Sequence, residues 1–266
     1  MTDIRTRNGG QLLMDSLVAL GATRGFGVPG ESYLAVLDAM VDHANAFDLV
    51  LCRQEGGAAY MAAAWGKLTG EPGLCFVTRG PGATNATVGI HTAMQDSVPM
   101  ILFVGQVGTD VMGREAFQEV DYTAFFGPLA KWAVQIDHVD RVPEIISRAW
   151  TVAMSGRPGP VVVALPEDML VGTSDRLPCD PVTIPEPAVP EAGAAQMAAM
   201  LAAAERPVML VGGTRWTAGS ARALESFAAA NDVPVVAAFR FHDIIDNHCP
   251  SFVGDAGVAM NAYMKD

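Results

Sequence analysis

Four segments of this 266-residue chain hold residues whose types and spacing suit chemistry. Glu55 stands at the head of Glu55-Gly56-Gly57-Ala58-Ala59-Tyr60-Met61-Ala62-Ala63-Ala64-Trp65, a run with no further charge. A carboxyl among small and apolar neighbours can share a proton with a bound ring or substrate. The same acid in a first helical turn can simply complement the helix dipole, and position alone leaves both readings open. Thr78-Arg79-Gly80-Pro81-Gly82-Ala83-Thr84-Asn85 lies between an apolar run and a helical one. Its glycines permit close backbone approach, and the free amides of a helix start favour an anion or a polar ring. A plain tight turn with Pro near the helix start is the alternative. The segment has neither the GK[ST] ending of a Walker loop nor the GxGxxG spacing of a dinucleotide loop. Gly27-Val28-Pro29-Gly30-Glu31 forms a third turn, and Gly105 to Asp121 a long stretch without regular period. Such stretches within a compact domain usually carry function. No two of the five histidines share metal-ligand spacing with an acid in register. His91 is the one that falls in the helix after the Gly-rich turn. There is no GxSxG, and Ser97 has no evident base, which argues against a serine hydrolase.

Positioning these residues requires strands and helices in alternation. The periodicity predicts helices at Gln11–Leu20, Glu31–His43, Glu55–Thr69, Ala83–Gln95 and Val142–Ser155. It predicts strands at Arg24–Val28, Asp48–Cys52, Leu74–Thr78, Met100–Gly105, Trp132–Ile136 and Val161–Leu165. Val161-Val162-Val163-Ala164-Leu165 is continuously apolar, so both faces of its sheet must be covered. The fold class expected is α/β, a parallel sheet with helices on both faces and ligands beyond the carboxyl ends of the strands. Residues 168–190 are proline-rich and read as an extended linker. A second alternation follows, with helices at Ala192–Ala204 and Ala218–Asn231, strands at Val208–Gly212 and Val233–Ala237, and a final helix at Val258–Met264. Two strands are few for an independent layer, so this second domain is expected to be partial.

Composition sets the outer bounds. With 17 Lys and Arg against 29 Asp and Glu the formal net charge is −12, which argues against a nucleic-acid partner. Half of the residues are hydrophobic and 17% charged, a globular composition. No apolar run approaches the ~18 residues that cross a bilayer, and MTDIRTRNGG has no secretory pattern. The four cysteines, Cys52, Cys75, Cys179 and Cys249, are widely separated and read as reduced thiols of a cytoplasmic protein.

In order and spacing the chain resembles the thiamine-diphosphate-dependent decarboxylase and carboligase superfamily, and within it acetolactate-synthase-like members. The segments that carry the resemblance are Phe26-Gly27-Val28-Pro29-Gly30, Arg53-Gln54-Glu55-Gly56-Gly57-Ala58-Ala59, Thr78 to Asn85, Asp96-Ser97-Val98-Pro99, Gly105-Gln106-Val107, Ala116-Phe117-Gln118-Glu119-Val120-Asp121 and Gly156-Arg157-Pro158-Gly159-Pro160-Val161. The resemblance implies that residues 1–167 bind the aminopyrimidine ring and that 191–266 begin a central domain. It further implies that the C-terminal domain holding the diphosphate and Mg²⁺ is absent from this chain. Glu55 would share a proton with the ring and so promote deprotonation of the thiazolium. Val28, Pro29, Gly30, Thr78, Pro81 and Asn85 would wall the ring, and Arg157 matches an arginine that touches flavin in FAD-holding members. His91, Phe117, Gln118 and Lys131 match positions near the substrate, a 2-oxo acid. The site would form between subunits of a homodimer or tetramer.

The chain departs from the family pattern at Arg79, at Glu31-Ser32-Tyr33 and at His91, and His91 is closer to pyruvate-decarboxylase-like members. Arg215 and Ala238-Phe239-Arg240-Phe241 depart from the flavin-contacting pattern, which argues against FAD. Gly254-Asp255-Ala256-Gly257 only echoes the metal-binding GDG. The activity implied is decarboxylation of a 2-oxo acid and transfer of the acyl unit to a second carbonyl. The alternatives are non-oxidative decarboxylation and a non-catalytic partner module.

Overall fold

Strands that are apolar on both faces need helices on both sides, and alternate side chains of each strand should then enter two separate cores. The computed structural model, which describes residues 5–258 and 260–264, has this arrangement. The chain divides into two compact units, residues 1–185 and 186–266.

In the first unit the elements run β1 (Arg7–Asn8), α1 (Gly9–Ala19), β2 (Arg24–Gly27), α2 (Leu34–Asp42), β3 (Asp48–Leu51), α3 (Glu55–Thr69), β4 (Gly73–Val77) and α4 (Gly80–Asp96). They continue with β5 (Met100–Gln106), α5 (Tyr122–Phe126), β6 (Trp132–Gln135), α6 (Val142–Met154), β7 (Pro160–Pro166), α7 (Glu167–Val171) and β8 (Thr173–Ser174). Six strands form one sheet in the order β3-β2-β4-β5-β7-β6, every neighbouring pair parallel. Phe76, Phe103, Val161 and Val163 project into a core with Leu12, Leu13 and Leu17 of α1 and Ile145 and Ile146 of α6. Their strand neighbours Cys75, Val77, Leu102, Val104 and Val162 enter the opposite core, with Ala58, Ala59 and Ala62 of α3 and Ala86, Ile90 and Ala93 of α4. Phe76 and Phe103 stack across β4 and β5 with centroids 4.8 Å apart. β1 and β8 pair antiparallel as a separate two-stranded ribbon.

Several elements differ from the sequence expectation. The helix expected over Glu31–His43 opens as a 3-10 turn at Glu31–Tyr33 before α2, because Tyr33 leaves helical geometry at φ −143° and ψ 34°. The irregular stretch after β5 ends in α5, and α7 and β8 occupy the start of the expected extended segment. Beyond β8, residues 175–190 carry no helix or strand.

The second unit consists of α8 (Glu191–Ala203), β9 (Met209–Val211), α9 (Ala218–Asn231), β10 (Val235–Ala238) and β11 (Phe252–Ala256). Its three strands are parallel in the order β11-β10-β9, one more than expected, and the added strand contains Gly254-Asp255-Ala256. Val211, Ala228, Val235, Ile244 and Ile245 form a small core. No residue of α8 is buried. An apolar groove of about 790 Å³ runs between α8, β9 and α9, lined by Met197, Met200, Leu210 and Leu224 among others. Of the expected helix Val258–Met264, Ala259 lies outside the described residues. Ala262–Met264 make only a 3-10 turn.

Candidate active site at the switch point of the six-stranded sheet

The chain leaves β2 to build β3 on one side and then crosses to place β4 on the other. Loops leaving the carboxyl ends of β2 and β4 therefore diverge, and a crevice opens where the strand order reverses. Val28-Pro29-Gly30 leaves β2 at this crevice and Thr78 to Gly82 leaves β4. The chain after β3 brings in the first turn of α3 with Glu55.

Gln54 caps α3, its side-chain Oε1 accepting from the Gly57 amide at 2.7 Å. With capping done by its neighbour, Glu55 turns its carboxylate across to α4, where Oε2 accepts a 3.0 Å hydrogen bond from Asn85 Nδ2. Oε1 faces the Gly-rich turn: a Cβ placed on Gly82 would stand 3.7 Å from it. The two turns themselves touch. A Cβ on Gly30 would lie 2.6 Å from Cβ of Thr78, and the Ser32 and Thr78 hydroxyls are 3.0 Å apart. Only glycine at position 30 permits that approach. Tyr33, buried beneath them, donates its hydroxyl to the Val28 carbonyl at 2.6 Å. Burial pushes its phenol upward from the ordinary value, with the Cys75 and Glu55 charges adding. Val28, Gly30, Thr78, Gly82, Asn85 and Glu55 thus come together in one place.

The stretch after β5 reaches the same crevice. The Gly80 amide donates to the Gln118 carbonyl at 3.0 Å, and Gln118 holds a left-handed φ of 64°. Phe117 beside it is 73% exposed. Glu119 gathers the amides of Gly113 at 2.6 Å and Ala116 at 2.9 Å. Those bonds hold its carboxyl below the usual range. Gln106 Nε2 donates to the Val120 carbonyl at 2.8 Å. At the near end of the stretch Asp168 accepts from the Thr109 amide at 3.1 Å and from its hydroxyl. Burial works to raise the Asp168 carboxyl, but the bonds from Thr109 and from the Met169 and Asp168 amides together outweigh it, and the net shift is downward.

The description "Thiamine pyrophosphate enzyme, N-terminal TPP binding domain" matches residues 7–125, and "Thiamine pyrophosphate enzyme, central domain" matches residues 194–266. The chain belongs to the thiamine pyrophosphate enzyme family. It is 35% identical over 251 residues to the acetolactate synthase isozyme 2 large subunit of Escherichia coli K12, covering 94% of this chain and 45% of that one. Identity to the isozyme 3 large subunit of the same organism is 37% over 236 residues, 86% of this chain and 41% of the other. To the acetolactate synthase large subunit of Lactococcus lactis it is 35% over 235 residues, 86% and 40% respectively. The chain therefore spans less than half the length of these relatives.

Three of the residues expected at the site of this thiamine pyrophosphate enzyme chain are placed away from Glu55. Arg157 donates from Nε to Ser97 Oγ at 2.7 Å and from Nη2 to the Met94 carbonyl at 3.0 Å. It thus closes the far end of α4, about 24 Å along the helix from Gly80. Lys131 gives its ammonium to the Val152 and Ser155 carbonyls at 2.5 and 2.6 Å, at the C-terminus of α6. His91 is exposed, nearly two turns beyond Asn85. Tyr33, Ser32, Glu167 and Asp168 had not been singled out as site residues. The one advance signal was the unusual Glu31-Ser32-Tyr33 after Gly30. Among the described residues no three His, Cys, Asp or Glu gather to hold a metal ion.

Proposed function

We propose that this chain supplies the aminopyrimidine-binding part of a thiamine-diphosphate-dependent enzyme of the acetolactate-synthase type, acting on a 2-oxo acid. The observation that carries the reading is the Glu55 carboxylate held by Asn85 against the Gly82 turn. The residues fit the group. An acid with a single side-chain hydrogen bond retains lone pairs for a ring nitrogen, and Gly82 lets the turn pack closely on Thr78 beside that acid.

Thiamine diphosphate, when bound, supplies the carbon nucleophile that attacks the keto group. This chain's part is to hold and tune it. Val28, Pro29 and Gly30 on one side and Thr78, Pro81 and Asn85 on the other would enclose the pyrimidine. Glu55 would share a proton at a ring nitrogen, with Asn85 fixing the carboxylate's orientation. Phe117 and Gln118, on the stretch tied to Gly80, would meet the substrate. The diphosphate and its Mg²⁺ are assigned to a part of the enzyme beyond the two matched domains, and the site would be completed by a second subunit in a homodimer or tetramer. FAD is not part of this reading, and Arg157 gives its Nε and Nη2 to the end of α4.

The test is turnover of pyruvate by the assembled enzyme with Mg²⁺ and thiamine diphosphate, reading acetolactate against acetaldehyde. Wild-type protein should form acetolactate. Glu55→Gln should lower turnover by at least ~10²-fold with an unchanged thermal midpoint. Acetaldehyde alone would replace carboligation with simple decarboxylation. No binding of thiamine diphosphate would leave a non-catalytic module.

A further inference from the structure

Arg79 is the residue at which the Gly-rich turn is least ordinary. It carries a full positive charge yet is only 8% exposed, and it lies between the turn after β2 and the end of β7. Its Nη2 pairs with Glu31, in the 3-10 turn that follows Gly30, and its Nη1 pairs with Glu167 of α7 at 2.9 Å. Its own carbonyl accepts the Gly82 and Ala83 amides at 2.9 and 3.1 Å, which starts α4.

A guanidinium beside a crevice meant for a 2-oxo acid has two possible tasks, to bind the substrate carboxylate or to brace the walls. Two carboxylates already neutralise it, and a third anion would face more negative than positive charge. Of the three guanidinium nitrogens, Nε is the one with no hydrogen-bond partner. We propose that Arg79 is the positioning residue of this site, a brace that locks the exits of β2, β4 and β7 together. The inference rests on the reading of Glu55 given above for its functional meaning, but not for its mechanics.

The brace extends further through main-chain and carboxylate links. Asp168, next to Glu167, fastens Thr109 at the start of the long stretch. Gly80, next to Arg79, fastens Gln118 near its end. One side chain and its neighbours therefore register Val28–Gly30, Thr78–Asn85 and the segment bearing Phe117 and Gln118. Without the guanidinium, Glu31 and Glu167 would be left as two like charges with nothing between them.

Hydrogen exchange of the 266-residue chain, read by mass spectrometry without any ligand, tests this. In Arg79→Met, exchange over residues 78–86 and 109–121 should rise by about tenfold or more, while β5 and β7 keep wild-type protection. The double variant Glu31→Ala, Glu167→Ala should reproduce the loosening, and it carries the test alone if Arg79→Met does not fold. Arg79→Lys should restore part of the protection, because an ammonium can serve one carboxylate but cannot fork to two. Wild-type exchange in Arg79→Met overturns the proposal. So does wild-type exchange in the double alanine variant, or a Lys variant no better than Met. Since no cofactor enters, failure here leaves the Glu55 reading standing, and a silent Glu55→Gln would leave the brace standing.

Discussion

Glu55 reaches the Gly-rich turn because α3 and α4 start at the same edge of the parallel sheet, where Asn85 Nδ2 donates to its carboxylate at 3.0 Å. A charge-free helix start and a glycine-proline helix start are local signals, and parallel strands bring such starts to one edge. Arg157 and Lys131 were not legible in the same way. Long cationic side chains seek helix C-terminal carbonyls far away in sequence, 63 residues in the case of Arg157 and Met94, and no spacing rule encodes that. Arg157→Ala should accordingly cost about 1 kcal/mol in a urea midpoint and leave thiamine diphosphate affinity unchanged. A loss of affinity at constant stability would contradict a purely structural role for Arg157. Glu119 gives a pH prediction. Its carboxyl sits below the ordinary 4.5 because the Gly113 and Ala116 amides bond its charged form. The order it lends the stretch is therefore present above pH 4.5 and is lost as pH falls through the lower folded value. The Gly113 and Ala116 amide proton shifts should titrate together with a midpoint under 4.5, and a midpoint above it contradicts the assignment.

Elements long enough to show a period were anticipated, and those set by partners were not. Alternation of strand and helix implied parallel pairing, but the order β3-β2-β4-β5-β7-β6, which creates the crevice, depends on which way the chain crosses after β3. α5 spans only Tyr122–Phe126, too short for periodicity. Asp121 caps it, its Oδ1 accepting the Ala124 amide at 3.0 Å. β11 contains Gly254 and Asp255, poor strand formers, and becomes a strand because it pairs with β10. Tyr33 broke the expected helix in two because its hydroxyl bonds the Val28 carbonyl, a tertiary demand that overrides local propensity.

On the scale of the whole molecule, the two units are joined by residues with no regular structure. Residues 175–190 have little main-chain pairing and are mostly exposed or half-buried, so a protease should cut there first. Brief digestion should release a resistant piece ending between residues 175 and 190. Early cleavage inside β4 or β5 would contradict the division. The uncovered α8 carries a further consequence. Its Met197 and Met200 are 62% and 67% exposed, beside the edge strand β9, the kind of surface on which identical chains stick to one another. A net charge of −12 holds such chains apart in dilute buffer, but dissolved salt shortens the reach of that repulsion to about 10 Å at 0.1 M. Light scattering from a concentrated sample should therefore grow as sodium chloride is added, and Met197→Lys with Met200→Glu should suppress the growth.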